Sequence, residues 1–270
     1  MNKPTIFFLL VAIMTMTSCA NTPPETPEEA TSTTAEREFY QLKVYTFDTD
    51  EQVAMTDNYL RDAFMPALKK RDIGPIGVFK QIPGENDSTR RTYVLIPFSS
   101  LEEVVDLEAA LGGDNEYQTT GSEYVDAAHD HPPYRRIEST LMQAFVDMPQ
   151  MEPSGLENPR SERIYELRSY ESPTEQYYHN KVDMFNAGGE IKLFDRLNFN
   201  AVFYAEVISG SKMPNLMYMT TFSDMASRDE KWKAFFDAPE WKELVAMEKY
   251  KNNVSHADII FLSPTEYSDY

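Results

Sequence analysis

Short runs of apolar or alternating residues in the second half of the chain are typical of β-strands, and they lie at 163–170, 201–208, 216–222 and 256–262. Between the first two runs, Tyr178, Val182 and Phe185 recur at the spacing of one helix face. A second helical pattern follows Asp224 and carries Trp232. The predicted order is therefore β-α-β-β-α-β, which is the order of a ferredoxin-like unit.

The start of the first of these helices has a capping signal. Ser172 is predicted as the N-cap, Pro173 as the first helical residue and Glu175 as the partner that closes a capping box.

The first half of the chain follows the same plan. Strands are predicted near 39–46, 77–82, 91–98 and 135–146, with helices near 49–70 and 100–111. Tyr40 returns as Tyr165 and Phe98 as Phe222, at an offset of about 124 residues. Two copies of one folding unit are expected, and each can bury one face of its sheet against the other.

Residues 1–18 are predicted to be a signal peptide. Lys3 precedes an apolar run at 5–14, which is shorter than the roughly 20 residues that span a bilayer but has the length of a signal-peptide core.

The segment Met16-Thr17-Ser18-Cys19 resembles the lipobox of bacterial lipoproteins, which implies cleavage before Cys19 and lipid attachment to its sulfur. Because Cys19 is the only cysteine, internal disulfides and cysteine-ligated zinc are excluded. Residues 19–37 are predicted to be the lipidated cysteine and a flexible tether rich in Pro, Thr and Glu. We expect an exported protein held to the membrane of the bacterial cell envelope, on its periplasmic or outer-surface face.

The chain is acidic, with 25 Lys and Arg against 44 Asp and Glu and a net charge of −19. Phosphate backbones are bound by clustered Lys and Arg, so a nucleic-acid partner is not expected. The acid is dispersed along the chain, and solubility is its simplest consequence.

The segment 194–244 strongly resembles the NIPSNAP family, through the turn Met213-Pro214-Asn215-Leu216, Arg228, Trp232 and the run Pro239-Glu240-Trp241. The predicted domain spans 160–266. The first copy, at 38–150, resembles a diverged unit of the same type. It lacks both tryptophans, with Glu108 near the place of Trp232 and Tyr117 near the place of Trp241.

This resemblance implies a dimeric α+β barrel, here formed by two tandem ferredoxin-like units of one chain around a lumen. That superfamily includes cofactor-free monooxygenases, haem-binding enzymes, isomerases and proteins without known catalysis, so the resemblance leaves the chemistry open.

A polar row on the predicted strands is the candidate ligand site. Strand alternation puts Tyr165 and Leu167 on one face of their strand and the polar residues on the other, which we expect to face the lumen. The alternative is that these polar groups satisfy one another between packed layers. The candidates are Glu166, Arg168, Tyr170, Tyr204, Glu206 and Tyr218.

The histidines give only weak metal or cofactor signals. His129 and His131 flank Asp130 in a loop, but a specific metal site needs further ligands, and none is predicted. Haem enzymes of the superfamily use a helical histidine, which makes His179 the residue to test, although no cofactor is predicted.

We therefore expect a protein that binds a small, partly apolar molecule in the barrel, and we favour binding over catalysis. The alternatives are a cofactor-free or haem-assisted oxygenase or isomerase, and a non-catalytic interaction scaffold of the cell envelope. Further oligomerisation is left open.

Overall fold

Within the residues that the structure describes, 36–84 and 87–270 of a computed structural model, eight antiparallel strands close into a barrel. The strands are β1 (Phe39–Phe47), β2 (Gly77–Gln81), β3 (Arg90–Phe98), β4 (Arg136–Ala144), β5 (Ile164–Glu171), β6 (Ala201–Ser209), β7 (Asn215–Phe222) and β8 (His256–Pro264). The α-helices are α1 (Asp50–Tyr59), α2 (Met65–Lys69), α3 (Leu101–Gly112), α4 (Asn115–Thr120), α5 (Ser122–Val125), α6 (Glu175–Phe185), α7 (Glu190–Arg196), α8 (Met225–Asp237) and α9 (Pro239–Ala246).

The barrel is assembled from two ferredoxin-like sheets. The first half supplies the neighbours β4-β1-β3-β2, and the second half supplies β8-β5-β7-β6. β2 pairs with β8, for example Phe79 opposite Pro264, and β4 pairs with β6, for example Ala144 opposite Ala205. Since both seams are hydrogen-bonded, neither sheet keeps an open edge. The predicted fold class is confirmed.

The inward faces of the strands form one apolar core that joins the two halves. Side chains of this size contribute about 1.5–3 kcal/mol each when fully buried. The core includes Leu42, Phe79, Leu95, Met142, Tyr165, Leu167, Phe203, Val207, Met217, Met219 and Leu262.

Helices cover the outward faces of the strands, and each half has a core of its own there. In the first half Phe64 and Leu60 pack on Val94, and in the second half Phe194 and Trp232 pack on the sheet. β3, β5 and β7 are therefore buried on both faces along most of their length, whereas β4 and β8 are mostly half-buried or exposed.

Aromatic rings close one end of the barrel. The ring centroids of Tyr40 and Phe203 lie 5.5 Å apart, and those of Phe79 and Tyr165 lie 4.8 Å apart. Tyr270 packs against Phe79 at 6.0 Å and is buried. The open cavity of the lumen lies toward the opposite end of the barrel.

The N-cap of α8 is Asp224, whereas the predicted cap of α6 is wrong. Asp224 accepts a hydrogen bond from the Ser227 amide at 2.7 Å, as an N-cap does. At α6 the N-cap is Thr174, and the Ser172 hydroxyl instead donates to the Asn253 carbonyl at 2.6 Å. A tertiary contact has taken the hydroxyl that the local pattern assigned to the helix.

Three helices were not predicted, namely α4, α5 and α7. α7 follows Gly189, whose φ of 89° lies in the left-handed region that glycine adopts readily. The first predicted helix, 49–70, is divided by a π-helical turn at Leu60–Phe64.

The predicted signal peptide, Cys19 and most of the predicted tether lie outside the described residues. Of the tether, Glu36 and Arg37 are described, and the Arg37 guanidinium donates to the Ala144 carbonyl and to Glu206 (2.5 and 2.7 Å). Among the described residues, no helix combines the length and the apolar character that crossing a membrane requires.

Candidate functional site

A cavity of about 630 Å³ occupies the open end of the lumen. Ligand pockets for small molecules span roughly 300–1,000 Å³, so this cavity has the size of such a pocket. Each of the eight strands contributes to its wall. The apolar residues that form its inner surface are Leu42, Val44, Leu167, Val207, Met217 and Ile260.

One side of the mouth carries a hydrogen-bonded group from β2, β3 and the loop between them. Arg91 donates to Asp87 at 2.6 Å and to the side-chain oxygen Oε1 of Gln81 at 3.0 Å, and the Tyr93 hydroxyl donates to the same Gln81 oxygen at 3.2 Å. Burial raises the pKa of Tyr93 to about 12, so this hydroxyl keeps its proton at neutral pH.

On the opposite side of the mouth, Lys212 pairs with Asp258 and lies 3.8 Å from Glu171. The hydrogen bond to Asp258 raises the pKa of Lys212, so the amine stays protonated. Burial acts to raise the pKa of Asp258, but hydrogen bonds from Lys212 and His256 outweigh it and leave the pKa lowered.

Glu171, His256 and Asp258 have ligand atoms within 4.8 Å of one another, a spacing that a metal ion needs. The Lys212 ammonium already neutralises two of these groups and would repel a cation. The cluster is therefore a set of ion pairs at the mouth, and it carries no metal assignment.

A polar pair lies inside the cavity, between β5 and β7. The Asn215 side chain is 3% exposed and its Nδ2 donates to the Ser169 hydroxyl at 2.9 Å. Its Oδ1 accepts from no donor among the described residues. This oxygen is a buried acceptor in the wall of the cavity.

The prediction that the polar row faces the lumen is wrong. Tyr165 and Leu167 belong to the lumen core, so Glu166, Arg168 and Tyr170 project to the helix-covered face. Tyr204 and Tyr218 also belong to the core between sheet and helices, and Glu206 shares the face of Tyr204. None of the six candidate residues lines the cavity.

The alternation itself was predicted correctly, but its inward face was not. The lumen of a small barrel is filled by side chains, which favours apolar residues inside. Polar residues can lie outside when the helices supply partners for them.

Glu166 accepts hydrogen bonds from partners on its own strand and on α8. Its buried carboxylate accepts from Arg168 Nε at 2.5 Å, Arg228 Nε at 2.7 Å and Trp232 Nε1 at 3.1 Å. The Arg168 guanidinium lies 3.7 Å from the centre of the Trp232 ring, a cation–π contact. Arg168 also donates to the Tyr170 hydroxyl at 2.8 Å.

The remaining candidates lie along the same layer. The hydroxyls of Tyr170 and Tyr218 are 2.8 Å apart, and burial raises the pKa of Tyr218 well above its usual value. The Tyr204 hydroxyl is buried and has no partner among the described residues. Tyr178 donates to Glu206 at 3.2 Å.

Beneath the same helices, Lys181 and Glu190 form a buried ion pair at 2.7 Å. Burial raises the pKa of Glu190, although the Lys181 charge opposes that shift. Sequence analysis did not single out this pair, because α7 itself was not predicted.

The sequence also missed the residues that do line the cavity mouth, among them Arg91, Lys212 and Asn215. Asn215 has the same strand parity as Met217, so the correct inward face would have placed it in the lumen. Lys212 is in the turn before β7, where no alternation pattern applies.

The histidine candidates lie away from the lumen. His129 and His131 are exposed, and His131 Nε2 lies 3.4 Å from Glu51. His179 is exposed on α6, so it does not fit an axial haem ligand in the barrel.

Comparison with known proteins gives a family for the second half of the chain. The NIPSNAP family model matches residues 165–269. No curated protein matches the chain significantly in sequence.

Two solved structures of low sequence identity share the fold. A candidate monooxygenase from Fusobacterium nucleatum subsp. nucleatum superposes with a TM-score of 0.53 at 7% identity, covering 85% of this chain and 93% of that chain. For a candidate monooxygenase from Lactobacillus acidophilus the TM-score is 0.50 at 10% identity, and the match covers 85% of this chain and 94% of that chain. For a NIPSNAP-like domain protein from Burkholderia xenovorans the TM-score is 0.37 at 16% identity, and the match covers 41% of this chain and 91% of that chain.

Proposed function

Residues 165–269 of this chain match the NIPSNAP family model, and we propose that the protein binds a small, partly apolar molecule in the open end of its barrel. The observation that carries the proposal is the cavity itself, about 630 Å³ with apolar inner walls and a polar mouth. Such a cavity buries the apolar part of a ligand and fixes its orientation through a few polar groups.

The site of this proposal differs from the polar row that the sequence suggested. Hydrogen bonds and ion pairs under the helices already satisfy Glu166, Arg168 and Tyr170. The lumen, by contrast, offers the Tyr93 hydroxyl, the Asn215 amide and open apolar surface.

A variant whose side chain fills the cavity tests the proposal. Val44 lies in the cavity wall and is only partly buried, so Val44→Trp places an indole in the open space with little repacking. The matched control is Val245→Trp, because Val245 is 41% exposed on α9. Native mass spectrometry of protein purified from its own host should show a retained small molecule in the wild type and the control, and a loss of at least about tenfold in Val44→Trp.

The same measurement separates the proposal from the alternatives. Equal occupancy in Val44→Trp and the control would place the ligand outside the lumen and contradict the proposal. Oxidation or isomerisation of the retained molecule would assign an oxygenase or isomerase reaction to the cavity. An empty wild-type barrel that co-purifies with a protein partner would support a scaffold in the cell envelope.

We also propose that the protein is exported and anchored to the cell-envelope membrane through lipid on Cys19. The support is the sequence Met16-Thr17-Ser18-Cys19 after an apolar run, together with the absence of a second cysteine. Two or more acyl chains anchor a protein firmly, whereas one does so only marginally. Metabolic labelling with an alkyne palmitate analogue should mark the wild type and not Cys19→Ser, and equal labelling of both would refute the anchor.

A further inference from the structure

The mouth of the cavity has more negatively than positively charged side chains. Its lining includes two cations, Arg91 and Lys212, and three carboxylates, Asp87, Glu138 and Asp258. Arg91 pairs with Asp87 and Lys212 pairs with Asp258. Within residues 36–84 and 87–270, the Glu138 carboxylate has neither a hydrogen bond nor an ion pair.

Glu138 faces the lumen from β4. It lies opposite Val44 of β1, which is itself a wall residue, and it has the strand parity of Met142 in the lumen core. Glu171 adds another carboxylate 3.8 Å from Lys212. The mouth therefore keeps an excess of negative charge after its cations are paired.

A second acceptor lies deeper in the wall. The Asn215 Oδ1 is buried and has no donor among the described residues. This oxygen has almost no accessible surface, so a donor group reaches it only after the Asn215 side chain shifts, and the hydrogen bond then formed removes an unfavourable unpaired acceptor. This amide is independent of the carboxylates at the mouth, and it favours the same kind of ligand group.

We propose that the ligand of this cavity carries a protonated amine at its polar end, with its apolar part against Leu42, Leu167 and Met217. The inference rests on the proposed ligand-binding function and specifies the ligand class. An ammonium group donates hydrogen bonds and is attracted by the Glu138 charge. A neutral alcohol gains only the hydrogen bonds, and a carboxylate is repelled by the excess negative charge.

Three ligands that differ only in the head group test the proposal. The protein is the full chain with Cys19→Ser, which prevents acylation. At neutral pH and low salt it is first loaded with the neutral fluorescent probe N-phenyl-1-naphthylamine. The competing ligands are octylamine, 1-octanol and octanoate. Octylamine should displace the probe about tenfold more effectively than octanoate, with 1-octanol between them. Raising the salt from about 20 mM to about 500 mM should narrow that ratio.

Two variants locate the charge effect. Glu138→Gln should lower the octylamine-to-octanoate ratio to about threefold or less, because it removes the unpaired carboxylate. Glu243→Gln changes the net charge equally on the exposed face of α9 and should leave the ratio unchanged.

The outcomes distinguish the two proposals. If octanoate binds as well as octylamine, or if the probe binds and octylamine does not displace it, the amine assignment is overturned while ligand binding stands. A ratio that is the same in Glu138→Gln and in the wild type also overturns it. If neither the probe nor any of the three ligands binds, the proposed function fails, and the ligand class fails with it.

Discussion

Glu166 is fully buried, and its carboxylate is tolerated there because Arg168, Arg228 and Trp232 surround it. A buried charge of this kind is stable only while its partners remain. The arrangement fixes α8 to the outer face of β5, and that role needs no ligand.

Replacing Arg168 tests whether this network is structural. Arg168→Met should lower the free energy of unfolding by about 3–5 kcal/mol, because Glu166 loses a buried partner and Trp232 loses its cation–π contact. Probe binding in the lumen should be unchanged at temperatures where the variant is folded. Urea unfolding and the naphthylamine probe measure the two effects.

Arg196→Met is the matched control, since Arg196 pairs with Glu240 at 2.8 Å and both side chains are 51% exposed. An exposed pair contributes about 0–1 kcal/mol, so a small effect is expected. Unchanged stability of Arg168→Met together with lost probe binding would restore the polar row as a ligand site.

At the scale of elements, side chains distant in sequence decide how the helices begin and where they are held. The Ser172 hydroxyl bonds to Asn253, so α6 begins two residues later than its local pattern predicts. Near its other end, Asp183 accepts hydrogen bonds from Lys249 Nζ and the Tyr250 hydroxyl, both at 2.6 Å. Asp183 therefore joins α6 to the 3-10 turn Glu248–Tyr250.

The attachment through Asp183 should depend on pH. Hydrogen bonds from Lys249 and Tyr250 lower the pKa of Asp183 below its usual value. A carboxyl with a lowered folded-state pKa stabilises the fold above its unfolded pKa of about 3.9, and this stability is lost as the pH falls through the folded value. Asp183→Asn should therefore cost about 1 kcal/mol at pH 7, with allowance for partial exposure, and less than that at pH 3.

Urea unfolding between pH 7 and pH 3 measures this dependence. Asp147→Asn is the control, because Asp147 is exposed and its side chain has no ion pair among the described residues. An equal cost of Asp183→Asn at both ends of the pH range would show that the charge of Asp183 is not what holds α6.

At the scale of the molecule, the two halves form one closed sheet with one interior core. Phe79 of β2 packs on Tyr165 of β5, with 4.8 Å between the ring centroids, although they belong to different halves. A core shared in this way predicts that the halves unfold together.

Both tryptophans, Trp232 and Trp241, lie in the second half, so their fluorescence reports that half while circular dichroism reports the whole chain. Phe79→Ala in the first half should destabilise the protein by about 3–5 kcal/mol and shift the fluorescence transition by as much as the dichroism transition. A fluorescence transition that stays in place while the dichroism curve splits in two would mean that the halves unfold independently.

Much of the architecture was determined by the sequence alone. The alternation at β5, the stripe of Tyr178, Val182 and Phe185 in α6, and the return of Tyr40 as Tyr165 are local or repeated patterns, and they predicted the order of the elements and two copies of one folding unit. The closed barrel was implied by the resemblance to the NIPSNAP family. Such patterns survive folding because the backbone repeats of strands and helices set their periods.

Only the tertiary structure decided which face of each strand is inward. The period of a strand is two, so Tyr165 and Glu166 are equally good candidates for the lumen until something packs on one side. Arg228 and Trp232 of α8 lie 62 and 66 residues after Glu166 in the sequence, and both donate hydrogen bonds to its carboxylate. Because of these partners, the helix-covered face of β5 can hold a charged group. The cavity likewise exists only where all eight strands meet, because its wall takes one or a few residues from each of them.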